Sequence, residues 1–194
     1  VKFAYADPPY IGQAKKHYGP EASEVNHFDL VSQLYTGFDA WALSCSSTTL
    51  LEIGLIIDDY DRRCRPRAEW ESEPLINSCR IGGWFKPFAS FKPGVNPAYC
   101  WEPVIFYGGK PLGSEVPTVR DYVSANITLQ RGTHGAKPDA FWFWLFQMLG
   151  AEPGDEFTDL FPGSKGGARC WGAFCRQASL LEPVLGSAPR GTAE

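Results

Sequence analysis

Four consecutive residues near the start of the chain, Asp7-Pro8-Pro9-Tyr10, bring together groups that can do chemistry. They follow the apolar segment KFAYA (residues 2–6), which reads as a short buried strand. The prolines cannot continue a strand ladder, and without backbone donors they leave carbonyl oxygens free to accept. Asp7 adds a carboxylate, which only accepts when ionised. Tyr10 adds a flat aromatic face. Acceptors beside such a face suit a planar ring with an exocyclic amino group. Its two N–H bonds would go to Asp7 and a proline carbonyl, with the ring stacked on Tyr10. The competing reading is a strand-ending turn with a solvated aspartate and a packing tyrosine.

Residues 159–167, D-L-F-P-G-S-K-G-G, form a second such stretch. Glycines between a strand and a helix let the backbone approach a ligand closely. The helix start offers free N–H groups. A nucleoside-triphosphate loop is disfavoured, because Lys165 is followed by Gly166 where that motif needs Ser or Thr.

The elements that must position these stretches alternate. Strands are expected at 2–6, 39–44, 79–85, 99–107 and 155–161, and helices at 27–35, 49–58, 139–149 and about 168–177. Residues 61–75 read as a polar irregular loop, and 108–136 as a long surface excursion. Pro138 suits the first turn of its helix. Strand–helix alternation implies a three-layer α/β sheet with helices on both faces. Ligands of such sheets lie at the carboxyl ends of the strands, so both motifs fall on one edge.

The chain has 194 residues, which is most simply one domain: a catalytic unit over 1–185 and a flexible tail over 186–194. Hydrophobic residues make up 44%, so a folded core is expected. The formal charge of −4 argues against a binder driven by overall charge, but leaves room for local basic patches. Six cysteines without a CxxC pair and three histidines support neither a zinc site nor a disulfide framework. They read as reduced packing residues of a cytoplasmic protein. No leader and no membrane-length apolar run is expected.

The order of the motifs resembles a known family. DPPY looks like the catalytic motif of amino-group DNA methyltransferases, and D-x-F-x-G-S, with Lys137-Pro138 about twenty residues upstream, looks like their S-adenosylmethionine (SAM) site. The order is the permuted one of the beta class, with the catalytic motif first. The messenger-RNA adenosine methyltransferases share it. Residues 84–111 resemble segments of small phage and prophage proteins of this kind, and the likeness covers most of residues 2–177. It implies a Rossmann-like methyltransferase sheet, minimal at its C-terminal end, acting on N6 of adenine in DNA. RNA adenine or cytosine-N4 methylation is the alternative activity. A cofactor-poor protein that only binds nucleic acid or a partner is the alternative class.

By the resemblance, Asp7 and Pro8, with Pro9 stiffening the turn, would accept the amino protons of a flipped base stacked on Tyr10. Asp159, Phe161, Gly163 and Ser164 would line the SAM pocket. Lys137 and Pro138 would close it over the methionine end. Glu182 is the one nearby acid for the ribose. Lys165 stands where the family's loop has its second glycine.

Three basic clusters are candidates for phosphate contacts: Lys15, Lys16 and His17; Arg62, Arg63, Arg65 and Arg67; and Lys86 with Lys92, interleaved with aromatics. Ser44, at a strand end on the active edge, is a candidate base contact and equally a residue leading into a helix. Glu102, an acid within an apolar strand, either supports the catalytic loop or faces solvent. The excursion 108–136 is a candidate recognition segment, and a homodimer or partner subunit would help so short a chain grip its substrate.

Overall fold

The computed structural model describes residues 1–15, 19, 21, 23–88, 94–114, 116–127 and 136–185, with 178–185 described by backbone alone. A six-stranded sheet forms its middle layer. In chain order the strands are β1 (Lys2–Ala6), β2 (Ala40–Ser44), β3 (Cys79–Phe85), β4 (Trp101–Tyr107), β5 (Tyr122–Ser124) and β6 (Glu156–Asp159). Their spatial order is β5-β3-β4-β2-β1-β6. β1 runs parallel to both β2 and β6, whereas β4 is antiparallel to β2 and β3. β5 lies parallel to β3 at the far edge.

The helices are α1 (His27–Gly37), α2 (Leu50–Cys64), α3 (Arg67–Ser72), α4 (Leu75–Ser78), α5 (Asp139–Met148) and α6 (Gly166–Leu185). Strand alternation sorts the core into two layers. Phe3 and Tyr5 of β1 face one side, where Phe141, Trp142, Leu145 and Phe146 of α5 and Cys170 of α6 pack on them. Ala4 and Ala6 face the other side, against Leu30, Val31 and Leu34 of α1 and Ile53 and Ile57 of α2. β2 is buried along its whole length because both faces are covered.

Boundaries differ from the sequence expectation where polarity masked structure. Residues 61–75 are mostly helical: α2 continues to Cys64, then α3 and α4 follow. The arginines there each meet an acid four residues away, Arg62–Asp58 at 2.9 Å, Arg63–Asp59 at 2.7 Å, Arg65–Asp61 at 2.7 Å and Arg67–Glu71 at 2.8 Å. Such i,i+4 pairs support a helix and compensate the cations, which leaves less charge for a phosphate. The cluster also lies at the wrong edge. Cys79, directly after α4, pairs with Tyr107, which pairs with Trp41 at the start of β2, the end away from Asp7.

The expected excursion is partly structural. β5 extends the sheet, the Trp84 indole donates to the Ala125 carbonyl and that of Trp144 to the Arg120 carbonyl, both at 2.8 Å. α6 begins at Gly166 and extends to Leu185, longer than expected; the tail from 186 lies outside the described residues. The six cysteines form no disulfide with one another, and Cys64 and Cys100 are exposed rather than packed. No helix among the described residues is long and apolar enough to cross a membrane, and no group of His, Cys, Asp or Glu there is placed to hold a metal ion.

One buried carboxylate ties the α2–α4 corner together. Asp61 is 1% exposed; it accepts from the Arg65 guanidinium and from the backbone N–H of Leu75, the first residue of α4. Replacing it leaves both donors without their acceptor. Asp61→Ala is expected to lower unfolding free energy by about 3 kcal/mol, read by urea denaturation. A loss below about 1 kcal/mol would show that the corner does not depend on it.

Candidate active site

β1 delivers Asp7 and β6 delivers Asp159 to the same edge of the sheet, on neighbouring parallel strands. Tyr5 stands opposite Asp159 in the register, and the Leu160 N–H donates to the Tyr5 carbonyl at 2.9 Å. The DPPY turn and the FPGS loop therefore leave the sheet side by side. The FPGS loop leads directly into α6.

Lys137 enters this edge from the residue before Pro138, the N-cap of α5. It is buried, with its Nζ 3.0 Å from Asp7 Oδ2 and hydrogen-bonded to Glu102 Oε1. Glu102 is only 4% exposed, and its second oxygen accepts from Lys86 Nζ at 3.0 Å. Two acids and two ammoniums thus alternate as Asp7–Lys137–Glu102–Lys86. Trp84 faces Glu102 across the β3–β4 ladder and floors the cluster, with Lys86 Nζ 4.5 Å and Lys137 Nζ 5.3 Å from its ring centroid. Such cation–π contacts offset part of the cost of burying charge.

The four groups differ electrostatically. Burial alone would raise the Glu102 pKa, but the Lys137 and Lys86 ammoniums overcome it and hold the carboxyl at about 2. Asp7 moves the other way: burial, reinforced by the charge of Glu102, raises it despite the opposing Lys137. Burial would lower Lys137, yet the charges of Asp7 and Glu102 raise it, so it stays a cation. Tyr10 is raised by burial, then by the charges of Glu102 and Asp7 and a hydrogen bond to Glu102, so its phenol stays protonated. Asp7 is the group whose charged state the site holds least firmly, and its side chain keeps 27% of its surface open to a ligand.

On the other loop, Asp159 Oδ1 accepts from the Phe161 N–H at 3.1 Å, and burial is the main cause lifting its carboxyl to about 6, with the Asp7 charge adding to it. Gly167 has no room for a side chain: a Cβ would stand 2.8 Å from Asp159 Oδ2 and 3.0 Å from the Trp142 ring. At Gly163 a Cβ would meet nothing within 4 Å, so this part of the loop faces open space. Lys165 has a left-handed backbone, φ 54°, the conformation glycine adopts without strain. Its side chain is exposed, and the turn is kept at a cost in backbone strain. The Trp142 indole N–H is buried beside Gly166 and finds no hydrogen-bond partner among the described residues.

The structure thus gathers Asp7, Pro8, Pro9, Tyr10, Lys137, Pro138 and the loop of Asp159, Gly163 and Ser164 at one edge. Other expectations fare differently. Phe161 is half-buried against the α1–α2 layer, on the face away from Lys137. Ser44 is buried and its hydroxyl pairs with Tyr5 at 2.8 Å, so it braces β1 against β2 rather than touching a base. Lys86 spends its ammonium on Glu102. Lys15 is exposed shortly after the DPPY turn; Lys16 and the Glu182 side chain lie outside the described residues. Glu102, the hub of the cluster, was signalled only by its polarity within an apolar strand, and Trp142 gave no signal.

The opposite shifts of the two acids make opposite stability predictions. A carboxyl depressed in the fold stabilises it above the ordinary pKa, here 4.5, and loses that contribution as pH falls toward about 2. A raised one opposes the fold when ionised. Glu102→Gln is expected to destabilise at pH 7 by about 3 kcal/mol, with the loss shrinking as pH falls from about 5 toward 2. Asp7→Asn is expected to leave stability within about 0.5 kcal/mol of the parent or above it. Equal losses in calorimetric Tm would contradict this ordering.

No protein-family model and no curated protein sequence matches this chain. Among solved structures, the crystal structure of the M1.HpyAVI–SAM complex resembles it with a TM-score of 0.58 at 11% identity, over 90% of this chain and 78% of that one. The crystal structure of M1.HpyAVI resembles it with a TM-score of 0.52 at 14% identity, over 90% of this chain and 77% of that one. At these identities the likeness is one of fold: the chain shares the α/β, Rossmann-like architecture of these structures.

Proposed function

We propose that this protein is a SAM-dependent methyltransferase that modifies the N6 amino group of adenine in DNA. The observation that carries the reading is the meeting, on adjacent parallel strands, of an acceptor turn built around Asp7 and a glycine loop built around Asp159. The fold's likeness to a protein crystallised with SAM supports the choice of cofactor. So do three features at the loop: open space at Gly163, the buried Trp142 indole N–H that finds no partner among the described residues, and the Asp159 carboxylate. Asp159, Gly163, Ser164 and the start of α6 would hold SAM, which supplies an electrophilic methyl group when bound.

The remaining work falls to the chain's own residues. Asp7 Oδ1 and the Pro8 carbonyl accept the two N–H bonds of the target amino group, orienting the nitrogen and stabilising the positive charge that develops on it. The Tyr10 ring carries the base, while burial and the nearby Glu102 and Asp7 charges keep its phenol protonated. Lys137 keeps one Asp7 oxygen occupied and leaves the other for the substrate. No covalent enzyme intermediate is required, which agrees with the Cys45 thiol near the site being pushed up to about 12 by burial. Adenine is chosen over cytosine because the motif begins with Asp, as in the adenine enzymes it resembles. RNA adenine remains the second substrate of the same chemistry.

Asp7→Ala is expected to abolish methyl transfer, a drop of at least about 100-fold. SAM affinity measured by calorimetry should change less than about threefold, because Asp7 acts on the base. Loss of both together would remove Asp7 from its assigned role. Asp7 must be ionised to accept, so the rate should rise with pH through a limb above the ordinary aspartate value of 3.8. A limb at or below that value in the kcat profile would contradict the electrostatics of the site.

A further inference from the structure

The far end of the β3–β4–β5 wing presents an aromatic face that the mechanism above does not use. Phe85, Trp101 and Tyr122 are 45%, 37% and 42% exposed. Phe85 and Trp101 pair across the ladder and lie nearly parallel, with ring centroids 6.2 Å apart and an interplanar angle of 19°. Tyr122 meets Phe85 edge-on at 5.7 Å. The exposed Arg120 guanidinium lies over Tyr122, 5.8 Å from its centroid, and among the described residues no carboxylate pairs with it.

This face ends at the same edge of the sheet as the candidate active site. Strand pairing places the C-terminal end of β3 and the N-terminal end of β4 on the edge that carries Asp7. Alternation along the strands turns Phe85 and Trp101 to the side of the sheet opposite Trp84 and Glu102, so the aromatic face and the ion cluster share an edge and not a face. With strands about 4.8 Å apart, Trp101, Phe85 and Tyr122 stand roughly 10 to 19 Å across the sheet from β1. That is the reach of a few nucleotides on either side of a base held at Tyr10. Rings clustered with an exposed guanidinium suit a ligand having both flat π faces and anionic charge. A duplex hides its base faces, whereas an unpaired strand exposes them.

We infer that Phe85, Trp101 and Tyr122, with Arg120, form a stacking platform for a single strand of nucleic acid flanking the target base. This rests on the proposed function for its target base but needs no SAM to be tested. The bases would stack on the three rings, and Arg120 would take a phosphate of the same strand. Selectivity would be for the unpaired state of the strand rather than for its sequence.

The test is fluorescence anisotropy with labelled oligonucleotides of about 20 nucleotides, as single-stranded DNA, single-stranded RNA and duplex DNA. The wild type is expected to bind a single strand, in one or both sugar chemistries, more tightly than the duplex. Phe85→Ala and Trp101→Ala should each weaken that binding roughly tenfold, and Trp101→Phe should restore most of it. Arg120→Ala should flatten the salt dependence by about one counterion. Leu51→Ala, at an exposed leucine on α2, is the control expected to change nothing. Unchanged binding in Phe85→Ala and Trp101→Ala overturns the inference, as does a wild type that binds no single strand or prefers duplex. So does a dimer, seen by sedimentation, that both variants dissolve without losing oligonucleotide affinity. A wild type that binds single strands through these rings but gives no heat with SAM would defeat the proposed function and leave the platform standing.

Discussion

A single buried ammonium, that of Lys137, holds the candidate site together. It is brought in by the segment before α5, paired to Asp7 at the end of β1 and to Glu102 on β4, and laid against Trp84 of β3. Three strands and a helix therefore converge on one charge. Burying two acids and two lysines is costly, and the pairing of Lys137 and Lys86 with Glu102 offsets most of it. In return, the arrangement separates the two carboxylates by role. Glu102 is locked as an anion, while Asp7 is left as the acid whose charge is least secure and whose surface is partly open. A group that must meet a substrate should be the incompletely satisfied one in an otherwise closed network.

The layers around the site serve this convergence. α5 is apolar on nearly every side because it lies between the sheet and α6, so its start is fixed by packing of Phe141, Trp142 and Phe146 rather than by a side-chain cap. Tyr5 packs edge-on against Phe141 at 5.6 Å and Trp142 at 4.9 Å, and bonds Ser44 across to β2. These contacts set the height at which β1 releases Asp7. The same Trp142 presses on Gly166 and Gly167, which explains why glycines, and not only a flexible loop, stand at the start of α6. The strained backbone of Lys165 is the local cost of keeping that turn.

Much of this was legible in the chain. The alternation of apolar strands with amphipathic helices, and the Pro-Pro and Pro-Gly punctuation, located both motif loops and predicted their shared edge. Residues 61–75 were misread because their helices are held by i,i+4 charge pairs and one buried Asp61, not by an apolar stripe. That spacing of Asp58 and Arg62 was readable and outweighed by overall polarity. Lys137 was expected to face the cofactor and Lys86 the substrate; both instead meet at Glu102, 35 and 16 residues away. Contacts of that range depend on strand order, which periodicity does not specify. Ser44 was ambiguous for the same reason, since only the register decides whether it turns inward.

The central claim is that the Asp7 turn presents an adenine amino group to a methyl donor held by the Asp159 loop. The most direct measurement is incubation of the protein with methyl-labelled SAM and DNA or RNA, followed by separation of the nucleosides. The account predicts labelled N6-methyldeoxyadenosine from DNA. Label in N4-methyldeoxycytidine alone, label confined to RNA, or no transfer from a protein that binds both SAM and DNA would contradict it.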